Sequence, residues 1–306
     1  MKVKHRESII DWAVLIFIGC IWGSSFILMK IGARAYTTMG VSSLRMFFAG
    51  MTMIPFFFSI YRKFDKKTIF WMFVSAMLGS AIPSIFYAYS ASKMDSNING
   101  IINSLTPVFT MIVGMVWLKY KVSRWSIAGV MVGFLGIILL FLQRKTIFEQ
   151  SQYAIFPLIA TMMYGVNMNI VKVKLSHLDS IDILKGVFGI LGILYIPLVI
   201  YLGVFSNIHF SSFSFEFWKS SPIADVQTMN SLTAMFLNGV VGSLMASLIF
   251  YFLLKRTNAL FASMNTYIIP LMSIFWGYID GESISWMHFV SLFIIMSGVY
   301  LVSKKK

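Results

Sequence analysis

Residues 12–30 read WAVLIFIGCIWGSSFILMK, nineteen positions with no charge before the closing Lys30. An α-helix rises about 1.5 Å per residue, so a run of about this length crosses the roughly 30 Å hydrocarbon layer of a bilayer. Taken alone, the run also fits a signal peptide: Lys2, Lys4 and Arg6 precede it, and Phe17-Ile18-Gly19-Cys20 faintly resembles a lipoprotein cleavage site. It is not alone. Comparable runs stand at 39–61, 69–91, 98–118, 125–143, 153–172, 181–204, 231–254, 259–279 and 285–303. A retained first helix is the expectation, followed by nine more.

Composition agrees. Of 306 residues, 58% are hydrophobic and 12% charged, where soluble domains run near a quarter charged. So much apolar surface is hidden by lipid and not by a soluble core. The single cysteine, Cys20, excludes an internal disulfide framework and a Cys-based zinc site. The net charge of +14 is carried by short basic clusters between apolar runs, the pattern of cytoplasmic loops and not of a nucleic-acid surface. With the amino terminus inside, 17 Lys and Arg residues fall on the inner side and six on the outer, while Arg45 and Lys185 lie within spans. The sequence therefore predicts an all-α membrane protein of ten transmembrane helices in the cytoplasmic (inner) membrane, with both termini in the cytoplasm.

The ten runs divide into two sets. A shift of 142 positions matches Gly23 with Gly165, Lys30 with Lys172, Gly50 with Gly192 and Pro55 with Pro197. Beyond the seventh run the shift becomes 163, matching Gly79-Ser80 with Gly242-Ser243, Ser84 with Ser247, Pro107 with Pro270 and Gly114 with Gly277. The change in shift fits an insertion at 205–230. Five spans per set is odd, so the two repeats, 12–143 and 153–303, must be inverted relative to each other. Inverted repeats are a mark of alternating-access carriers, whose site lies near the midplane between the halves.

No catalytic motif interrupts the pattern. His5, His177, His209 and His288 lack metal-ligand spacing, and no two carboxylates share a span interior. No cofactor and no metal are expected. The polar residues inside spans are neutral and recur at helical spacing: Asn99, Asn103, Thr106 and Thr110; Ser80, Ser84 and Tyr87; Ser243, Ser247 and Tyr251; Tyr164, Asn167 and Asn169; Ser263, Asn265, Thr266 and Tyr267. Serines of this kind often glue helices together, whereas an amide has more donors and acceptors than one helix contact satisfies. Trp22 and Tyr164 stand at matching depth in the two halves and are candidates to stack on a solute. Pro107 and Pro270 each free the carbonyl four residues earlier, that of Asn103 or Thr266, and so mark a binding carbonyl, a hinge or a plain kink. Arg45, an embedded charge about 9 Å into its span at 1.5 Å per residue, has no acidic partner at that depth. Snorkelling or binding to helix carbonyls ranks ahead of attracting a carboxylate on a solute. Lys185 is shallower and is expected to snorkel.

These residues resemble the drug/metabolite transporter superfamily, specifically its EamA-type ten-helix carriers. Trp22-Gly23-Ser24-Ser25-Phe26 with Lys30 is similar to the family's opening motif, and Arg45 stands in the context seen there. Pro270 through Gly277 and Glu282 to Gly298 resembles the close of the second repeat, answered in the first by Pro107, Gly114 and the Gly129, Gly133, Gly136 series. Lys119 departs from the pattern, standing where the family often has an acidic residue. The resemblance implies alternating access through a central cavity lined mainly by helices 1, 3, 4, 6, 8 and 9, and often export of amino acids or related metabolites.

The resulting expectation is a secondary carrier, not an enzyme. A small-molecule substrate binds between Trp22, Ser25, Tyr87, Asn99, Asn103, Tyr164, Asn167, Asn265 and Thr266, with hinge or gating roles for Pro107 and Pro270. Neutral lining favours an amino acid, a nucleobase or a similar solute. The alternative within transport is export of drugs or lipid-like solutes, which the many Phe and Met residues favour. More remote are a membrane-embedded lipid-modifying enzyme and a receptor or scaffold. The partners expected are the solute and the lipid bilayer, and no nucleic acid. A proton is a candidate coupling ion, with facilitated diffusion equally tenable, in a monomer or a homodimer.

Overall fold

The computed structural model describes residues 8–118, 124–142, 151–202, 231–257, 262 and 264–303. Lys119, Ser263 and the insertion at 205–230 lie outside them. Every regular element among the described residues is helical. In chain order they are α1 (Ile9–Gly32), α2 (Thr38–Met51, continuing after a bend as Ile54–Ile60), α3 (Lys66–Ala91), α4 (Ser96–Trp117) and α5 (Arg124–Leu142). There follow α6 (Ile155–Lys174), α7 (Ser180–Tyr201), α8 (Ser231–Arg256), α9 (Ile268–Ile279, entered through a 3₁₀ turn at Met264–Tyr267) and α10 (Trp286–Ser303). Six of the described helices, α1, α3, α4, α6, α7 and α8, are long and apolar enough to cross a membrane, and the bent α2 makes a seventh if its two parts form one span.

Helix starts follow local chemistry. Ser8 and Asp11 form a reciprocal capping box at α1, and the side chains of Thr37 and Asp65 accept the Gly40 and Thr68 N–H groups at the starts of α2 and α3. The continuous run expected over 39–61 is instead broken by 54° around Thr52-Met53. Pro55 has no N–H to give the Met51 carbonyl and crowds the preceding turn, so the helix restarts with the proline in its first turn.

Lipid removes the usual hydrophobic drive between helices, which associate by close packing at small residues. A Cβ on Gly50 would meet the Gly192 backbone, its Cα at 2.6 Å, and one on Gly192 would meet the Gly50 carbonyl oxygen at 2.6 Å. The matched glycines of α2 and α7 therefore face each other. The same equivalence recurs elsewhere. Gly23 of α1 packs on Met272 of α9, a Cβ there lying 2.6 Å from the Met272 Cβ, and Gly165 of α6 packs on Phe109 of α4, with the corresponding contact at 2.9 Å. Met272 is Phe109 shifted by 163, as Gly165 is Gly23 shifted by 142. α5 and α10 close on each other through Gly133 and Gly298, a Cβ on the latter lying 2.6 Å from the Gly133 nitrogen. Side chains such as Phe56, Phe70, Phe275 and Phe293 are left exposed around the outside of the bundle, where lipid covers them.

Candidate functional site

The helices that meet in the middle of the bundle leave a cavity of about 120 Å³. A water needs about 10–15 Å³ on this measure, so the space holds several waters or one small solute. Its walls come from α1, α2, α3, α4, α6, α8 and the start of α9.

Two wall segments are wound as π-helices, Met77–Ala81 in α3 and Asn238–Met245 in α8. They carry the matched pairs Gly79-Ser80 and Gly242-Ser243, all four of which line the cavity. π turns are rare and concentrate at functional sites. The sequence match marked these positions as equivalent, but no composition rule predicts a π turn. The wide turn also changes which main-chain acceptors are available: the Trp22 indole N–H donates to the Gly242 carbonyl at 3.0 Å, and the Ser243 hydroxyl donates to the Asn238 carbonyl at 3.1 Å.

Seven of the nine expected lining residues border the cavity: Trp22, Ser25, Tyr87, Asn103, Tyr164, Asn167 and Thr266. Tyr87 is the organising group. Its hydroxyl donates to Asn103 Oδ1 at 2.8 Å and lies 2.9 Å from Thr161 Oγ1, while its ring stacks on Tyr164 with centroids 6.0 Å apart. Trp22 does not stack on its counterpart but packs on Phe250 at 5.1 Å. Ser75 donates to Asn167 Oδ1 at 2.7 Å, and the Asn167 amide lies so close to Gly79 that no Cβ fits there.

Asn99 and Asn265 do not line the cavity. Asn99 sits one turn nearer the start of α4 and is buried, accepting the Ser90 hydroxyl at 2.6 Å, so it joins α4 to α3. Asn265 precedes the lining residue Thr266 in the 3₁₀ turn but does not border the cavity. Its side chain is fully buried, and neither amide atom has a hydrogen-bond partner among the described residues. Asn169 also turns away, donating to the Thr110 and Gly165 carbonyls at 2.9 Å each.

The prolines behave differently from each other. α4 breaks at Ser104-Leu105, ahead of Pro107, and the carbonyl this frees on Asn103 accepts the Thr106 hydroxyl at 2.7 Å. Pro270 lies inside α9, just after the 3₁₀ turn.

Among the described residues, Arg45 is the only charged one that lines the cavity. Its Nε donates to Ser243 Oγ at 2.8 Å and its Nη1 approaches Met29 Sδ at 3.5 Å. The lining is thus not neutral, and the side chain neither snorkels nor binds a helix carbonyl among the described residues. Lys185 lies over the Phe56 ring, 5.9 Å from its centroid.

A second polar cluster ties α1, α4 and α9 together at the end of the cavity bordered by Met29. α9 ends in a Schellman turn: Gly281 takes φ +78, its N–H donates to the Tyr278 carbonyl at 3.2 Å, and the Glu282 N–H donates to Gly277 at 2.8 Å. That turn aims Glu282 at the start of α4, where it accepts the Ser96 N–H at 2.8 Å, the Asn97 N–H at 3.2 Å and the Asn97 amide at 2.7 Å. Lys30 pairs with Glu282 at 2.7 Å and Asp280 at 2.9 Å, and Arg34 with Asp280 at 2.6 Å. Burial pushes the nearby Asp95 carboxyl above its ordinary range, with Glu282 adding to the effect.

Comparison with known proteins places this architecture. Residues 11–142 and 152–304 each match the EamA-like transporter family. The chain belongs to that family. It is a multi-pass membrane transporter of the drug/metabolite transporter superfamily. Among similar proteins, the uncharacterized transporter YoaV of Bacillus subtilis (strain 168) is 22% identical over 94% of each chain. An uncharacterized transporter of Archaeoglobus fulgidus is 21% identical over 96% of this chain and 99% of its own. A crystal structure sharing 12% identity superposes with a TM-score of 0.59 over 96% of this chain and 97% of its own, which supports the fold alone.

Proposed function

We propose that this EamA-family chain is a secondary carrier of the cytoplasmic membrane that exports a small polar metabolite, an amino acid or a related solute, by alternating access. In this reading residues 12–143 and 153–303 are inverted five-helix repeats with both termini in the cytoplasm. The solute binds among Trp22, Ser25, Tyr87, Asn103, Tyr164, Asn167 and Thr266. The observation that carries the reading is a cavity lined by residues of both halves, with equivalent π-wound segments in its wall. The repeated Gly–helix contacts and the excess of basic residues on one side support the inverted arrangement and its orientation.

Rocking of the halves must part the Lys30–Asp280–Glu282 cluster for that end of the cavity to open, since those residues join helices of both repeats. Pro107 and Pro270 sit where α4 and α9 depart from regular winding, which suits a hinge. The multidrug alternative has the Met29, Met46 and Met168 wall in its favour and predicts broad ligand acceptance. The test is counterflow in proteoliposomes with labelled amino acids, nucleobases and small organic acids. At least one class is taken up against an equal load, and Asn103→Ala lowers its uptake at least tenfold. No counterflow of any class refutes the reading.

A further inference from the structure

We infer that Arg45 is the anion-recognising group of the cavity and that the carried solute is a small organic carboxylate with a net negative charge. The inference rests on the transport reading above and narrows its substrate class from polar metabolites in general to organic anions.

Cations embedded in membrane helices are normally met by acidic side chains or by backbone carbonyls. Arg45 is 9% exposed and borders the cavity, yet no carboxylate among the described residues lines that space or pairs with it. A guanidinium has five N–H donors in a planar fork. One is taken by Ser243 Oγ at 2.8 Å, and a second approaches the Met29 sulfur at 3.5 Å, a weak acceptor. Ser243 belongs to the π segment of α8, so the hydroxyl that holds Nε is itself fixed by its bond to the Asn238 carbonyl. The guanidinium is therefore held from one edge, with donors left for a planar oxyanion, which Arg matches in bidentate fashion.

Charge balance decides among solutes. Among the described residues, the cavity lining carries one positive charge and no negative one. A monoanion neutralises it, whereas a zwitterion leaves the same net charge and brings an ammonium that meets no carboxylate among the described lining residues, only ring faces and neutral oxygens. Trp22, Tyr87, Tyr164 and Phe250 supply those faces, and they suit the hydrocarbon body of the acid.

The experiment compares benzoate with benzamide, its uncharged near-isostere, and with phenylalanine as the zwitterion. Thermal shifts of the purified full-length protein are measured at equal ligand concentrations. Benzoate is expected to raise the melting temperature with at least tenfold higher affinity than either of the others. Arg45→Gln is expected to weaken benzoate at least 30-fold, and Arg45→Lys less. If Arg45→Gln does not fold, the three-ligand comparison on the unaltered protein still decides. Benzamide or phenylalanine binding as well as benzoate, or chloride giving the same shift, overturns the inference, as does absence of any benzoate shift. Counterflow in vesicles separates this from the parent reading. Uptake of a neutral or zwitterionic solute with none of benzoate sinks only the anion assignment. Arg45-dependent benzoate binding with no solute carried sinks only the transport reading.

Discussion

Glu282 offers the sharpest test of how the two halves are joined. Its side chain is 1% exposed and accepts from two backbone N–H groups, the Asn97 amide and Lys30. Glu282→Ala strands the first N–H groups of α4, which Asp95 at the N-cap does not serve through a side-chain capping bond. A hydrogen bond to a charged group contributes about 1.5–3 kcal/mol, and a negative charge at a helix start about 0.3–1 kcal/mol. The Lys30 share is small, because Lys30 is 25% exposed and keeps Asp280. These terms overlap and do not add in full, so the loss is set at about 3–5 kcal/mol, about two charged hydrogen bonds' worth. At about 2 °C per kcal/mol for a chain of this size, the melting temperature falls by about 6–10 °C. Glu282→Gln keeps one acceptor oxygen and the shape, and falls about half as far. The assay is thermal unfolding in detergent followed by tryptophan fluorescence. A Glu282→Ala protein melting within about 2 °C of the parent refutes the cap.

Three further outcomes follow from the geometry. Gly50→Ala places a methyl group against Gly192, an overpacking expected to cost about 1–3 kcal/mol; Gly192→Ala does the same, and thermal melts of the double variant will show a loss smaller than the sum. Tyr87→Phe removes the hydroxyl that donates to Asn103 Oδ1 and lowers stability by about 1–2 kcal/mol, read in the same melts. Asp95 has a folded pKa raised above its ordinary 3.8, chiefly by burial, so ionising it costs stability. That cost is absent below the ordinary value and grows as pH rises through the raised one. Asp95→Asn therefore gains on the parent between pH 4 and pH 7, and a stability difference unchanged across that range argues against it.

Much of the bundle is legible in the sequence because lipid imposes one rule on every span: about twenty apolar residues, with charges at the ends. The expected runs 12–30, 153–172 and 181–204 overlie α1, α6 and α7 nearly end to end. The bend in α2 was less legible, since Pro55 and Pro197 are matched prolines yet Pro197 lies inside a continuous α7. Tertiary packing, and not the proline alone, decides which helix breaks. Of the polar residues expected on one helical face, several were found in the cavity lining, as Tyr87, Asn103 and Tyr164 illustrate. Asn99 and Asn265 were not, because periodicity gives a face but not a depth, and the 3₁₀ turn before α9 rotates its residues off the α-helical count. Arg45 could be seen as a buried charge without an embedded acid. Its partner Ser243 could not, since the two are 198 residues apart and meet only through the π turn of α8.

The central claim is that one cavity is exposed in turn to both sides of the membrane. In a Cys20→Ser background, Ser25→Cys and Ser247→Cys place single thiols in the cavity lining, with Phe275→Cys as a lipid-facing control. A membrane-impermeant maleimide is applied to sealed right-side-out and inside-out vesicles. The account predicts that both cavity thiols react from either side while the control reacts from neither. Labelling of the cavity thiols from a single side only, or from no side, contradicts it.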